Sequence, residues 1–478
     1  MTAYDTVFSG AEIFDGTGAV SFIGTVCVRG DRIAAVEKGA VRPEARQVID
    51  AAGLALAPGF IDVHTHDDIA LIENPAMEMK SSQGVTTVIT GLCGYSPAPF
   101  LPEARLPAEF EILMFRPEHR FERFGAYLAA VKAARPAVNT LALVGHSTLR
   151  LSVMDDVNRP AREDEIARMG ELLEQSLVDG AIGLSSGLAY AMASRSETSE
   201  LIALAKRMPK GGFYVTHLRD EAEGLLDAVD EALEIGRASG APVIFSHHKA
   251  VGRANHGAVR HSLARIDAAR AEQAVGLDLY PYDFSSTALT PERARAAGGE
   301  RVTITRSKPM PETAGRKLSE VAAELGCTEE ETVERLMPAG ALYHTMAEAD
   351  VRTVLAHDLA MIGSDGLPFD ARPHPRLWGT FPRVLGHYAR DAGVLSLAEA
   401  VRRMTGLPAE TFGIPDRGFV REGCFADLVL FDPGRIRDGS SLAEPTAPAE
   451  GIAQVYVNGM AAAPGAGRQI LPAHATVA

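Results

Sequence analysis

Residues Gly59–Asp68 read GFIDVHTHDD. The first half is an apolar run of strand length. The second half sets His64 and His66 two residues apart, which on a strand puts both imidazoles on one face, where they can share one metal ion. Seven more short apolar runs follow: VTTVITGLC (85–93), TLALVGH (140–146), GAIGLSS (180–186), FYVTH (213–217), PVIFSHH (242–248), VGLDLY (275–280) and AMIGSD (360–365). Between them lie stretches of helical period such as 161–179 and 220–239, the latter reading DEAEGLLDAVDEALEIGRAS with apolar residues three and four apart. Parallel strands need crossover helices, and eight of them close on themselves. The pattern therefore predicts an α/β chain built on a (β/α)8 TIM barrel.

The two ends of the chain have a different texture. Residues 4–57 read as short strands punctuated by Gly, and so does the chain after 417 in GFVREGCFADLVLFDP and AQVYVNG. Residues 1–57 and 417–478 are therefore expected to form one small β-sandwich domain around a catalytic barrel of 58–416. The gap between the seventh and eighth runs is much longer than the others, so residues from about 284 to 343 are read as an insertion over the barrel mouth.

The 478 residues carry a formal charge of −15 with no offsetting run of Lys and Arg, which argues against nucleic acid or an anionic membrane as partner. The N-terminus lacks the basic start and apolar segment of a secretory signal, and no apolar run reaches the roughly 20 residues of a membrane span, so a cytoplasmic location is expected. Cys27, Cys93, Cys327 and Cys424 are scattered without a C-x-x-C pair, which speaks against a disulfide framework and a zinc ribbon. A small-molecule substrate is the expected partner; a monomer and a dimer both stay open.

Each apolar run ends at or near a polar or titratable residue, and in a barrel such strand ends meet at one mouth. Cys93, between glycines in GLCGYSPAP, is the natural soft anionic ligand opposite His64 and His66, and a thiolate can bridge two ions. His217 in VTHLRDE and His247 in FSHHK end two further strands. Alternation from Val243 through Phe245 favours His247 over its neighbour His248. His146 in GHSTLR reads as support for a ligand from behind. Asp365 in IGSDGLP would accept a proton from water and return it to a leaving nitrogen, against the alternative of a helix cap. Lys249, Arg376, Tyr190 and Tyr280 offer positive charge and phenol donors for a substrate carboxylate, with Arg372 and Arg383 as rivals to Arg376.

The same residues resemble a known family. GFIDVHTH, the strand-end histidines and the split β domain resemble the metal-dependent amidohydrolases. More narrowly, GLCGYSPAP, LVGHSTLR, YVTHLRDE, FSHHK, DLYPYDFSST, MIGSDGLP and PHPRLWGTFPRVLGHY resemble the N-acyl-D-amino-acid deacylases over nearly the whole chain. The resemblance implies a tightly held Zn2+ on Cys93, His217 and His247, with a second, weaker position on His64 and His66 that shares Cys93. It also implies Asp365 as general acid and base, Lys249, Arg376, Tyr190, Tyr280 and Ser286 around the substrate carboxylate, and Met346 under the substrate side chain. The fourth apolar run ends in GLSSG, without the carboxylated lysine that many superfamily members use to bridge two metals. Arg306 and His256 stand where relatives of the resemblance carry Trp, which bears on side-chain preference. The expected reaction is zinc-dependent hydrolysis of N-acyl-D-amino acids, with hydrophobic D-side chains favoured. Its rivals are deacylation of acidic D-amino acids, a hydantoinase-like cyclic amidase, and a metal-free scaffold of the same fold.

Overall fold

The computed structural model describes residues 4–101 and 116–472. The chain is mixed α/β. Its two ends meet in one eight-stranded sheet, where Leu428–Phe431 pairs antiparallel with Ala55–Pro58 and Ile452–Val457 extends the edge. Phe8, Val26, Ile33, Leu56, Leu428 and Leu430 form a buried cluster on this sheet, so side chains more than 400 residues apart in sequence share one core.

The middle of the chain supplies parallel strands, numbered here β1 (Phe60–Asp62), β2 (Val85–Thr90), β3 (Asn139–Ala142, resuming as Val144–Gly145), β4 (Gly183–Gly187), β5 (Phe213–His217), β6 (Val243–Phe245), β7 (Val275–Leu279) and β8 (Ala360–Ile362). Hydrogen bonding runs β1-β2-β3 in one sheet and β3-β4-β5-β6-β7-β8 in the other, with every pair parallel. The free edges of β1 and β8 also meet: Asp365 N–H donates to the His64 carbonyl (2.7 Å) and His66 N–H to the Gly366 carbonyl (3.1 Å). All six residues of β2 are buried, as parallel strands covered on both faces require.

Helices cover the strands because their apolar residues fall on one side. Leu225–Ser239 buries Leu225, Ala228, Val229, Ala232, Leu233 and Ile235, and ends at Gly240, whose φ of 78° suits a residue without Cβ. Each fully buried Leu or Val of this kind contributes about 1.5–3 kcal/mol. Between β7 and β8 the chain builds a separate three-stranded antiparallel sheet from Ser285–Ala288, Ala339–Tyr343 and Val302–Ser307, with its own core of Leu289, Val302, Ile304, Leu318, Val321 and Val333. Among the described residues, no helix is long and apolar enough to cross a membrane.

Candidate active site

Six predicted residues leave the parallel strands at the same end. His64 and His66 follow β1, Cys93 follows β2, His217 closes β5, His247 follows β6 and Asp365 follows β8. All six are buried. Cys93 Sγ is the common point, 3.3 Å from His64 Nε2 and 3.4 Å from His247 Nε2. The donor atoms form two overlapping sets, Cys93 with His217 and His247, and Cys93 with His64, His66 and Asp365, each with all atoms within 4.8 Å of one another. Cys93 (φ 53°), His247 (34°) and Asp365 (47°) all adopt the left-handed region, a costly conformation for side-chain-bearing residues that turns the chain sharply at the strand end.

The electrostatics favour a charged cluster in which a thiolate and a carboxylate face protonated imidazoles. Burial opposes ionisation of the Cys93 thiol, yet His64 and His247 hold it well below the usual cysteine range. Burial likewise opposes the charge on His66, but its contact with Asp365, 3.2 Å away, and with Cys93 pushes it up to about 9. His217 is shifted the other way, with burial as the first cause, and so favours the neutral imidazole that a metal requires. Thiolate sulfur with imidazole nitrogen is a donor set suited to zinc. The Nδ1 atoms of His66 and His217 are buried without a hydrogen-bond partner, which also fits residues that turn toward an ion.

Two carboxylates that sequence reasoning did not single out hold the imidazoles from behind. Asp278 on β7 places Oδ2 3.2 Å from His64 Nδ1 and accepts the His247 backbone N–H at 2.8 Å. Glu221 lies 3.2 Å from His247 Nδ1 and 3.7 Å from His217 Nε2. Such partners orient a ligating imidazole and raise its basicity. The available signal for Asp278 was a carboxylate inside an otherwise apolar run, and for Glu221 its place four residues after His217 in the loop that leaves the strand.

A cavity of about 720 Å³ opens over the cluster, lined by Tyr190, Lys249, Tyr280 and Ser286 together with His217, His247 and Asp365. Lys249 arrives already paired, its Nζ donating to Glu221 Oε1 at 2.5 Å. Arg376 stays outside the lining, buried behind Tyr280 with its guanidinium 4.4 Å from the ring centroid. Its Nη1 is 2.9 Å from Asp365 Oδ2, and this charge, against the opposing effect of burial, keeps Asp365 well below the usual carboxylate range. Met346 also lies off the cavity wall, with the Tyr280 hydroxyl donating to its sulfur at 3.6 Å.

The alternatives fall elsewhere. His248 faces Ser262 Oγ at 2.8 Å, on the helix side of its strand. His146 pairs with Glu200 Oε1 at 2.8 Å in a buried network with Arg150 and supports none of the six residues. Arg383 pairs with Asp438, and Arg372 donates to the carbonyls of Leu442 and Ala443. Of the two loop departures, Arg306 approaches Asp370 at 4.0 Å and His256 Nε2 lies 3.2 Å from the Thr345 carbonyl, at the cavity edge.

The sequence pattern of the amidohydrolase family matches residues 47–462. The chain belongs to this family. Among amidohydrolases of known activity, it is similar to D-aminoacylase of Alcaligenes xylosoxydans xylosoxydans, 49% identical over 95% of this chain and 94% of that protein. N-acyl-D-aspartate deacylase of the same organism is 47% identical over 95% and 91% of the two chains. A solved structure of N-acyl-D-glutamate deacylase from Bordetella bronchiseptica, complexed with zinc and a phosphonate mimic of the tetrahedral intermediate, is 43% identical with a TM-score of 0.95, over 98% of this chain and all of that one.

Protons on His64 and His66 must leave before these imidazoles bind a cation. With His66 pushed up to about 9 and His64 also raised, divalent-ion affinity at their position is expected to tighten as pH rises from about 6 to 9. Calorimetric titration in buffers of different ionisation enthalpy checks this; affinity that stays flat, with no protons released, would contradict it.

Proposed function

We propose that this amidohydrolase cleaves the amide of N-acyl-D-amino acids, releasing a carboxylate and a free D-amino acid. The observation that carries the reading is the pair of donor sets sharing Cys93 at the base of a cavity that also presents Asp365. Similarity to three deacylases acting on N-acyl-D-amino acids supports the substrate class. We read the two parallel sheets as one (β/α)8 barrel of residues 58–416, because β1 and β8 bond to each other as well as to their own sheets. The sheet from both chain ends is read as the small flanking domain, and the insertion of about 284–343 as the part that walls the cavity.

Cys93, His217 and His247 fit a zinc ion, and His64 and His66 fit a second position that shares Cys93. The chemistry an ion supplies there is Lewis acidity toward a carbonyl and acidification of water. Asp365 belongs to the donor set of Cys93, His64 and His66 and also faces the cavity, so its carboxylate takes the proton from the attacking water and returns it to the departing amine. Arg376 holds that carboxylate ionised, ready to act as base. Tyr280, Ser286 and Tyr190 present polar groups to the substrate carboxylate; Lys249 joins them once Glu221 shares its charge with His217 and His247. Anchoring the carboxylate and the scissile carbonyl at two fixed points leaves one direction for the side chain, which selects the D enantiomer.

Hydrophobic D-side chains suit the small apolar lining of Ala189, Ala222, Val251 and Ala254. A specific observation favours a second reading, in which the side chain is acidic. Arg293 lines the same cavity, half-buried 5.2 Å from the Tyr190 ring centroid, and its guanidinium has no carboxylate partner among the described residues.

Asp365→Ala is expected to keep the ion on Cys93, His217 and His247 while kcat falls about 10²- to 10⁴-fold, the usual worth of a proton-transfer group. Near-normal turnover in the zinc-loaded variant would remove Asp365 from the reaction. Kinetics on N-acetyl-D-Met and N-acetyl-D-Glu separate the two side-chain readings. If Arg293 reads an acidic side chain, Arg293→Leu lowers kcat/KM for the glutamate derivative by about 10- to 100-fold, the loss of one charge-assisted contact, and spares the methionine derivative. Equal effects on both would leave the hydrophobic reading alone.

A further inference from the structure

Lys80 has no part in the chemistry above, yet it is a cation with no exposed surface close behind the site. It projects from the single-turn helix Glu78–Ser81. Removing an ammonium from water costs several kcal/mol unless partners replace the lost hydration, so its contacts must be good ones. They are. Nζ donates to Asp62 Oδ2 at 2.8 Å, Thr65 Oγ1 at 2.9 Å and Ser364 Oγ at 2.8 Å, and lies 3.2 Å from Asp67 Oδ2. Burial opposes its charge, but Asp62 and Asp67 outweigh it and hold the ammonium above the usual lysine range.

The partners come from two segments. Asp62, Thr65 and Asp67 interleave with His64 and His66, whereas Ser364 immediately precedes Asp365. Lys80 thus ties the segment that carries two candidate ion ligands to the segment that carries the candidate acid and base. Backbone bonds run across the same seam: Ser364 N–H donates to Asp62 Oδ1 (2.8 Å), and Asp365 N–H to the His64 carbonyl (2.7 Å). The fit leaves no slack. A Cβ on Gly363 would stand 2.5 Å from His64 Cβ, and one on Gly366 would stand 2.8 Å from Leu377 Cδ1 and 3.3 Å from Lys80 Nζ.

We propose that Lys80 is a positioning residue: by bracing these two segments it sets the separation of the His64–His66 pair from the Asp365 carboxylate, now 3.2 Å at His66 Nε2. It touches neither ion nor substrate. A buried ion cluster that served only the fold could be replaced by neutral groups at little cost. A brace that sets a distance cannot be neutralised without moving what it holds.

The inference rests on the ligand reading given above, and its test separates the two. Lys80→Met and the neutral triple variant K80M/D62N/D67N, in the full chain, are compared with wild type by Co2+ titration and steady-state kinetics. The first step in the thiolate-to-cobalt absorption band follows the position on Cys93, His217 and His247, and a second binding step, resolved by calorimetry because Cys93 is shared, follows the position on His64 and His66. The first step should stay within about twofold of wild type in affinity, while the second step weakens about 10-fold or more. On N-acetyl-D-amino acids kcat should fall about 10- to 100-fold with KM little changed, the cost of an ångström-scale misplacement. A folded variant with a wild-type second step and wild-type kcat overturns the proposal, and so does failure of both variants to fold, which would make the cluster a stability element alone. A wild-type protein that takes up no ion overturns the ligand reading itself, and Lys80 with it.

Discussion

A buried sulfur that must carry negative charge is the constraint from which the rest of the site follows. Cys93 has almost no exposed surface, and an apolar setting would keep its thiol protonated. The thiolate is favoured only because His64 and His247 approach it within 3.4 Å and His217 completes one set of donors. Reaching that spot imposes a backbone demand. Cys93 sits at φ 53° between Gly91 and Gly94, where a Cβ would meet the Leu143 carbonyl oxygen at 2.1 Å and the Gly187 nitrogen at 2.9 Å respectively. The GLCG stretch is thus a packing solution that delivers one sulfur to the centre of four imidazoles.

Charge around that sulfur is balanced in layers. Asp278 and Glu221 stand behind the imidazoles, Lys249 pairs with Glu221, and Arg376 pairs with Asp365. Each buried charge therefore has an opposite neighbour, without which its desolvation would be prohibitive. The arrangement also divides labour. Groups on the cavity side face the space a substrate would enter, whereas Arg376 is buried and meets the cavity through the Tyr280 ring, Asp365 and the Ser286 carbonyl, and the half-buried Met346 through the Tyr280 hydroxyl.

Much of this was legible in the sequence because the informative signals are local. The spacing of His64 and His66, and the habit of apolar runs ending in His or Asp, follow from strand periodicity and from where strands stop. The choice of His247 over His248 needed only alternation. What local reading missed are partners set by tertiary pairing. Asp278 and His64 are 214 positions apart, and Lys80 and Ser364 are 284 apart. A lysine in EMKSSQG looks like any solvated helix residue until the seam between β1 and β8 closes over it. Arg376 was recognised as a strong cation, but only its burial against Asp365 shows which anion it meets first. The side of Tyr280 on which Met346 lies was likewise undetermined by a motif, because a flexible thioether carries no directional pattern.

The proposed chemistry depends on the Cys93 sulfur as a zinc ligand. X-ray absorption at the zinc edge, on protein purified with zinc and no other metal, reports that atom directly. The expected spectrum fits one sulfur at about 2.3 Å alongside nitrogen or oxygen neighbours at about 2.0–2.2 Å. A shell of nitrogen and oxygen alone, or protein that holds no zinc, would contradict it.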